Sequence, residues 1–432
     1  MTRTQLSSTP RRLAVRSAVA TAAVLALALV ASPVPAAQES DRRILSIGDV
    51  HGALDSFTAI LQEVGLVDKE LHWTGGDAIL VQTGDILDRG PHVRDAMDLL
   101  MRLQEEAPRF GGEVIVILGN HEAMNLVSYL IDTTEDDTAA FTDEDSEKRR
   151  DEAWEAWREM RIELADQLDA DRPRFDREAW EEAHPLGYIE RMKALGPDGT
   201  YGRWLRQLPA AVRIDNMLFM HAGLNPEYGD LSADQISERV SDELQRFDDT
   251  RRLMSDAGLI SSSSDLVEMI MSADDKLGKM LQTLQETGER PDADGQQLAR
   301  ALEWVINYSD WQLLNRNGLL WFRGLARWPE DEHAEEVAEL LDTQGIDHII
   351  VGHTVQADGQ IRSRFDGGVF LTDTGMLEPV YHGRPSALEI RDGTFTARYI
   401  GESKTLLAPT IVNAAAPEAP VALPAPDVSG RR

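Results

Sequence analysis

Three short clusters of chemistry-bearing residues punctuate this chain: Gly48-Asp49-Val50-His51-Gly52, Gly84-Asp85-Ile86-Leu87-Asp88-Arg89-Gly90 and Gly119-Asn120-His121-Glu122. Together they offer carboxylate and amide oxygens, two imidazoles, a spare acid–base group and a guanidinium. Oxygen donors beside imidazoles suit first-row transition metals, and a guanidinium fork matches the oxygens of a phosphate. The chemistry open to such a set is hydrolysis of a phosphate ester at a two-metal centre.

Singly, each cluster is ordinary. Gly-Asp is a common turn dipeptide, and Asn-His-Glu after a strand can be a helix N-cap with its capping partner. Their placement is less ordinary. The leading glycines recur 36 and 35 residues apart, and each cluster closes an apolar run: Arg43-Ile44-Leu45-Ser46-Ile47, Ala78-Ile79-Leu80-Val81-Gln82-Thr83 and Val114-Ile115-Val116-Ile117-Leu118. Short β-branched runs of this kind read as strands buried on both faces. Between them Phe57, Ile60, Leu61 and Val64, then Met97, Leu100, Met101 and Leu103, follow helical spacing. The pattern β-α-β-α-β builds a parallel sheet with right-handed crossovers. Ligands of such sheets gather beyond the carboxyl ends of the strands, which brings all three clusters to one rim.

With Arg89-Gly90 after Asp88 and Glu122 closing the third cluster, the series resembles the phosphoprotein phosphatase branch of the calcineurin-like metallophosphoesterases. Ala123-Met124-Asn125-Leu126 and Leu320-Trp321-Phe322-Arg323 look like the bacterial Shewanella-like protein phosphatases. The resemblance spans roughly residues 42–128, 203–228 and 318–400. It implies an α/β fold, a four-layer α/β/β/α sandwich, here with helical insertions at about 130–200 and 230–315. Two more strands end in histidines at ligand positions of the family, Met217-Leu218-Phe219-Met220-His221 and Ile349-Ile350-Val351-Gly352-His353. Ala222 stands where the family usually has the first of two glycines. A lone strand-end histidine is more often structural; five other converging donors reverse that reading for both.

The roles that the resemblance implies are specific. Asp49, His51 and Asp85 would hold one metal ion, and Asp85, Asn120, His221 and His353 a second, with Asp85 bridging. The mixed oxygen and nitrogen set suits Mn²⁺, Fe or Zn²⁺. Ions about 3.5 Å apart can share a hydroxide that attacks phosphorus in line. His121 stays outside the coordination shell and protonates the leaving oxygen, with Asp88 orienting it. Arg89 and Arg323 grip the phosphate oxygens, and Asn120 also faces the substrate. The role of Arg323 rests on the resemblance alone, with a surface ion-pair partner as the alternative, and histidines 72, 92, 184, 333, 348 and 382 follow no motif and read as structural. Family members act on phosphorylated Ser/Thr or Tyr side chains, whereas the residues themselves indicate only a phosphate monoester. Two alternatives stay open: a dinucleoside-polyphosphate hydrolase, which Gly90-Pro91 echoes, and a binding module without activity, although no candidate ligand is missing.

Composition sets outer limits. The 432 residues contain no cysteine, which excludes disulfides, thiolate zinc sites and a cysteine nucleophile. A basic start, an apolar run from Ala18 to Ala31 and the small residues up to Ala37 form a signal peptide, residues 1–36, and predict export to the periplasm or beyond, with no membrane span left after cleavage. The net charge of −32 becomes −36 when the four arginines before residue 37 are removed. Such a field excludes nucleic-acid binding, which depends on cationic contacts, and opposes anionic substrates at long range, leaving their attraction to the metals and the arginines; phosphorylated protein or a small phosphoester is the partner that the motifs and the resemblance imply.

Much of the acid lies in residues 131–190, 21 Asp or Glu against 8 Lys or Arg. The surplus reads as a solvated face or as adaptation to high salt. Within it, Glu152 to Leu168 reads as a helix whose Trp154, Trp157 and Ile162 serve either a cap or a lid over the entrance. In the second insertion Ala233, Ile236, Val240, Leu244 and Phe247 form an amphipathic stripe. The catalytic domain is placed at 40–402, and residues 403–432, with five prolines and seven alanines, read as a disordered tail.

Overall fold

The three clusters do end three neighbouring strands. In the computed structural model, which describes residues 42–409, β1 (Ile44–Ile47), β2 (Ile79–Gln82) and β3 (Glu113–Val116) pair in parallel, Ile44 opposite Ile79 and Ile79 opposite Glu113. A second sheet holds β4 (Ala211–Ile214), β5 (Met217–Met220), β6 (His348–Val351), β7 (Arg362–Arg364) and β8 (Val369–Leu371), in the order β4-β5-β6-β8-β7. β9 (Ser386–Arg391), β10 (Thr394–Tyr399) and β11 (Glu402–Leu407) return antiparallel to the first sheet, whose order is β11-β10-β9-β1-β2-β3.

Alternation along the strands explains the layering. Ile44, Ile79 and Val81 of the first sheet meet Met217, Phe219, Ile350 and Phe370 of the second in one buried cluster. The intervening Leu45, Ile47 and Leu80 point outward onto α1 (Leu54–Glu63) and α2 (Val93–Glu106), through Phe57, Ile60, Leu61 and Leu100. α3 (Asn120–Leu126) begins inside the third cluster. This is the expected α/β/β/α arrangement.

The first insertion comprises α4 (Glu135–Ala139), α5 (Ser146–Leu168), α6 (Arg177–Ala183), α7 (Tyr188–Leu195) and α8 (Thr200–Leu205). Between β5 and β6 lie α9 (Ala233–Asp256), α10 (Leu266–Thr287), α11 (Ala293–Ile306), α12 (Gly324–Arg327) and α13 (Glu330–Gln344), and α14 (Glu378–Tyr381) follows β8. The stripe of α9 buries Ile236, Val240, Leu244 and Phe247 as expected. Trp154 and Trp157 stack with ring centroids 5.5 Å apart and pack with Phe175 and Trp180, so the acidic insertion builds an aromatic core of its own. Trp157 also donates to Glu268 of α10 at 2.8 Å, tying the two insertions together.

One boundary is corrected. Ser403 to Leu407, expected to open a disordered tail, instead complete β11, paired to β10 from Tyr399–Glu402 to Phe395–Leu407. The prolines of that stretch all lie at 409 or beyond, so residues 403–407 keep every backbone donor that a strand needs. The remainder of the tail and the signal segment lie outside the described residues. Among those described, no helix is long and apolar enough to cross a membrane.

Candidate metal centre

At the carboxyl ends of β1, β2, β5 and β6 the chain turns sharply, and half of the expected site residues take up the strain. His51, Asp85, Asp88, Arg89 and His353, five of ten, sit at φ between 46° and 73°. Non-glycine residues avoid that region unless the surroundings impose it, and such outliers concentrate at functional sites. Two glycines make room for this crowding. A Cβ on Gly119 would stand 2.3 Å from Asp85 Oδ1, and one on Gly352 2.5 Å from Asp49 Oδ1.

Asp85 Oδ2 is the focus of the site. It lies 3.3 Å from His221 Nε2, 3.7 Å from His51 Nε2 and 3.9 Å from His121 Nε2. Its other oxygen accepts the backbone N–H of His121 at 2.9 Å. Asp49 Oδ1 accepts from His353 N at 2.9 Å, while Oδ2 is 3.9 Å from His51 Nε2. His221 Nε2 is 2.8 Å from Asn120 Oδ1 and 3.0 Å from His353 Nδ1. Ligand-type atoms thus gather in two overlapping groups, His51–Asp85–His121 and Asp85–His221–His353, with Asp85 common to both.

Three of these rings have one nitrogen engaged by the main chain. His51 Nδ1 meets Leu87 O at 2.8 Å, His221 Nδ1 meets Thr83 O at 2.8 Å, and His353 Nε2 meets Trp321 O at 3.1 Å. A main-chain carbonyl takes one nitrogen of each ring and leaves the other facing the acids, as second-sphere partners do around bound metals. Burial lowers the His51 pKa to about 3, and burial together with His221 and Arg323 depresses that of His353, so both rings are neutral at pH 7 with lone pairs available. The acids point the same way. Burial and Asp373 raise Asp49 well above the carboxylate range, and Asp373 itself rises to about 6 through burial and Asp85. Asp373 Oδ2 is buried without a hydrogen-bond partner. A pocket of mutually repelling buried carboxylates and neutral imidazoles fits metal cations.

His121 differs from the other three rings. Its Nδ1 lies 2.7 Å from Asp88 Oδ2, a carboxylate instead of a carbonyl. Burial opposes its charged form, but Asp85 and the bond to Asp88 outweigh that and raise its pKa. This is the environment of a proton donor.

Arg89 reaches the centre from the second cluster, with Nη1 3.2 Å from His51 Nε2 and Nη2 3.3 Å from Asp132 Oδ2; it also donates to the Tyr381 hydroxyl. Arg323 Nη1 donates to His353 O at 2.5 Å and Thr354 Oγ1 at 3.1 Å. No ion pair holds Arg323 among the described residues, against its reading as a surface partner.

Several participants had no motif to announce them. Asp373 presses on Asp49, Asp132 and Tyr381 hold Arg89, and Arg191 is buried against Asp88 at 3.2 Å. Glu122, read as a capping partner and as the close of the third cluster, accepts the backbone N–H groups of Gly119, Asp85, Ile86 and Leu87 at 2.8–3.1 Å and clasps the second cluster to the third.

Residues 42–357 match the family model described as calcineurin-like phosphoesterase. The chain is 26% identical over 369 residues to Shewanella-like protein phosphatase 1 of Plasmodium berghei (strain Anka), covering 84% of this chain and 75% of that one. To Shewanella-like protein phosphatase 2 of Arabidopsis thaliana it is 29% identical over 211 residues, 47% of this chain and 51% of that one. A crystal structure of the cold-active protein-tyrosine phosphatase of a psychrophilic Shewanella sp. is similar with a TM-score of 0.53 at 20% identity, covering 85% of this chain and 80% of that one, which shows a shared fold.

Proposed function

The chain belongs to the calcineurin-like phosphoesterase family and is a metal-dependent phosphoester hydrolase; from that premise we propose that it is an exported phosphatase acting on phosphorylated protein side chains, phosphotyrosine foremost. The observation that carries this reading is Asp85 Oδ2 set among three imidazoles while the fourth candidate, His353, closes on His221. Asp49, His51 and Asp85 would hold one ion, and Asp85, Asn120, His221 and His353 the other, of Mn²⁺, Fe or Zn²⁺. When bound, such ions supply Lewis acidity and an activated water.

The rest is done by the chain's own side chains. Arg89 and Arg323 fork onto the non-bridging phosphate oxygens and Asn120 adds its amide. His121, charged through Asp88 and Asp85, passes its Nε2 proton to the leaving oxygen, and Asp88 keeps the ring turned and its positive charge stabilised. Protein substrates are supported by the names of the relatives, and phosphotyrosine by that of the cold-active phosphatase. Export to the periplasm or beyond rests on the residues before position 37.

The test is phosphate release by the mature chain with Mn²⁺ from phosphotyrosine peptides, phosphoserine peptides and diadenosine tetraphosphate, with Asp85→Asn as control. Peptide turnover that the variant loses supports the reading. Turnover of the dinucleotide alone assigns the chain to anhydride hydrolysis, and activity that survives in Asp85→Asn removes Asp85 from the mechanism.

A further inference from the structure

Beside the centre, on the Arg323 side, a cavity of about 510 Å³ opens between the segment before α12 and α12 itself. Arg316, Arg323 and Arg327 line it together with Trp321, Phe322 and Trp328, and no carboxylate does. In a chain with 75 acids and 43 Lys or Arg, three arginines around one acid-free cavity are out of character. Arg316 and Arg327 are exposed, and neither forms an ion pair or a side-chain hydrogen bond among the described residues. Arg323 belongs to both places: its side chain reaches His353 and Thr354 at the centre and also walls the cavity.

The cavity is built, and not merely open. Arg364 donates to Leu325 O at 2.7 Å and also to Trp328 O, pinning both ends of the α12 turn. Trp321 Nε1 donates to Leu313 O at 2.8 Å, and Trp328 stacks on His333 with centroids 4.3 Å apart. A Cβ on Gly324 would lie 2.2 Å from the Phe322 ring, so the turn is packed tight. Three guanidinium groups thus wall one cavity with no carboxylate among its lining residues, and like charges on a common wall repel one another. An anion would relieve that repulsion.

We propose that this cavity is a subsite for a second anionic group of the substrate, a Glu or Asp side chain flanking the phosphorylated residue of an acidic phosphopeptide. The inference rests on the reading of the chain as a protein phosphatase. Arg323 is shared, so the second anion lies within a residue or two of the scissile phosphate. Guanidinium forks match carboxylates, and the two tryptophan faces cover the aliphatic stem of a glutamate. The arginines also offset locally a whole-protein field that would otherwise repel an acidic peptide. A phosphate chain would suit the same arginines, and the assay separates the two.

The experiment compares a phosphotyrosine peptide flanked on both sides by glutamates with its glutamine counterpart, using the Mn²⁺-loaded mature chain and the Arg316→Gln/Arg327→Gln double variant. The glutamate peptide is expected to be favoured in kcat/KM roughly three- to tenfold at low salt, mainly through KM, as exposed charge pairs allow. That advantage shrinks at about 0.5 M salt and falls towards one in the double variant. A ratio near one in the unaltered chain, a ratio unchanged in the variant, or equal loss on both peptides overturns the subsite. So does turnover of diadenosine tetraphosphate that depends on the arginines without any peptide preference. A chain that releases phosphate from p-nitrophenyl phosphate yet ignores flanking charge sinks the subsite alone and leaves the proposed function. If no phosphoester is turned over, the proposed function fails, and affinity of the metal-free chain for the glutamate peptide decides the subsite by itself: binding weakened in the double variant supports it, equal binding overturns it.

Discussion

Arg191 Nη2 lies 3.2 Å from Asp88 Oδ1, while His121 Nδ1 takes the other oxygen of the same carboxylate at 2.7 Å. The arginine comes from α7 of the acidic insertion and also donates to Asn125, which in turn donates to Asp88 Oδ2 at 2.8 Å. A buried guanidinium therefore fixes, from the far side, the carboxylate that aims His121. The acidic insertion thus reaches the Asp88–His121 pair directly through α7.

Replacing Arg191 by Met tests that relationship. Removing one partner of a buried pair costs about 3–5 kcal/mol of stability. If Asp88 is also released to swing, proton delivery suffers most where the leaving group needs it. The variant should lose at least about tenfold more rate on phenyl phosphate than on 2,4-dinitrophenyl phosphate, whose phenolate departs without a proton. Equal losses on the two esters would leave Arg191 with a structural role only.

Asp373 predicts how the metal-free protein responds to pH. Its folded pKa of about 6 exceeds the ordinary value of 3.8 because of burial and Asp85. The unfolded chain gives up this proton first, so stability falls as pH rises from about 4 to about 6 and stays lower above. Asp373→Asn should flatten that decline and leave the metal-free protein more stable at pH 8, on the order of 1–3 kcal/mol. Denaturant melts at pH 4 and pH 8 check it. Mn²⁺ should stabilise the unaltered protein more than the variant, and a variant that is weaker at pH 8 without metal contradicts the assignment.

Asp373 also marks the limit of what the chain discloses before folding. The five strands that carry the candidate ligands, the helices between the first three and all six candidate ligands were legible because each sits in or beside an apolar run that ends in a glycine-bearing turn. Asp373 follows β8 in a stretch without a repeated motif, and only the parallel pairing of β6 with β8 delivers it to Asp49. Arg191 and Asp132 were hidden among 30 charged residues between 131 and 191, where a functional charge looks like a solvated one. The disordered-tail reading failed at residues 403–407 because composition averaged a proline-free segment with the proline-rich one after it.

Glu122 was visible but its task was not, and that task can be measured. Four backbone N–H groups from two loops share its two oxygens. In Glu122→Gln an amide N–H₂ would face two of those donors, leaving them unsatisfied at about 1–3 kcal/mol each. Thermal unfolding should show a loss of roughly 2–4 kcal/mol, together with weaker Mn²⁺ stabilisation, since the Asp85 turn is what the carboxylate holds. A loss below about 0.5 kcal/mol would mean that water replaces the clasp.

Arg89 is held by two groups with opposite consequences for substrate. Tyr381 donates no charge and shares its hydroxyl with the guanidinium from the side of His51, whose ring lies 5.8 Å from its own. Asp132 Oδ2, a partly exposed carboxylate oxygen, lies 3.3 Å from Nη2 and 3.8 Å from His121 Nε2, between the two groups proposed to meet the phosphate. A phosphate gripped by Arg89, as proposed, is expected to keep the first partner and displace the second. Tyr381→Phe should raise KM for a phosphotyrosine peptide roughly two- to tenfold, the worth of one hydrogen bond. Asp132→Asn should lower it by a factor of about 1.5–5, the worth of an exposed ion pair. In both variants kcat should move less than KM. Steady-state kinetics at fixed Mn²⁺ give both signs in one series, and a KM that rises in Asp132→Asn would show that the acid helps to place the substrate instead of competing with it.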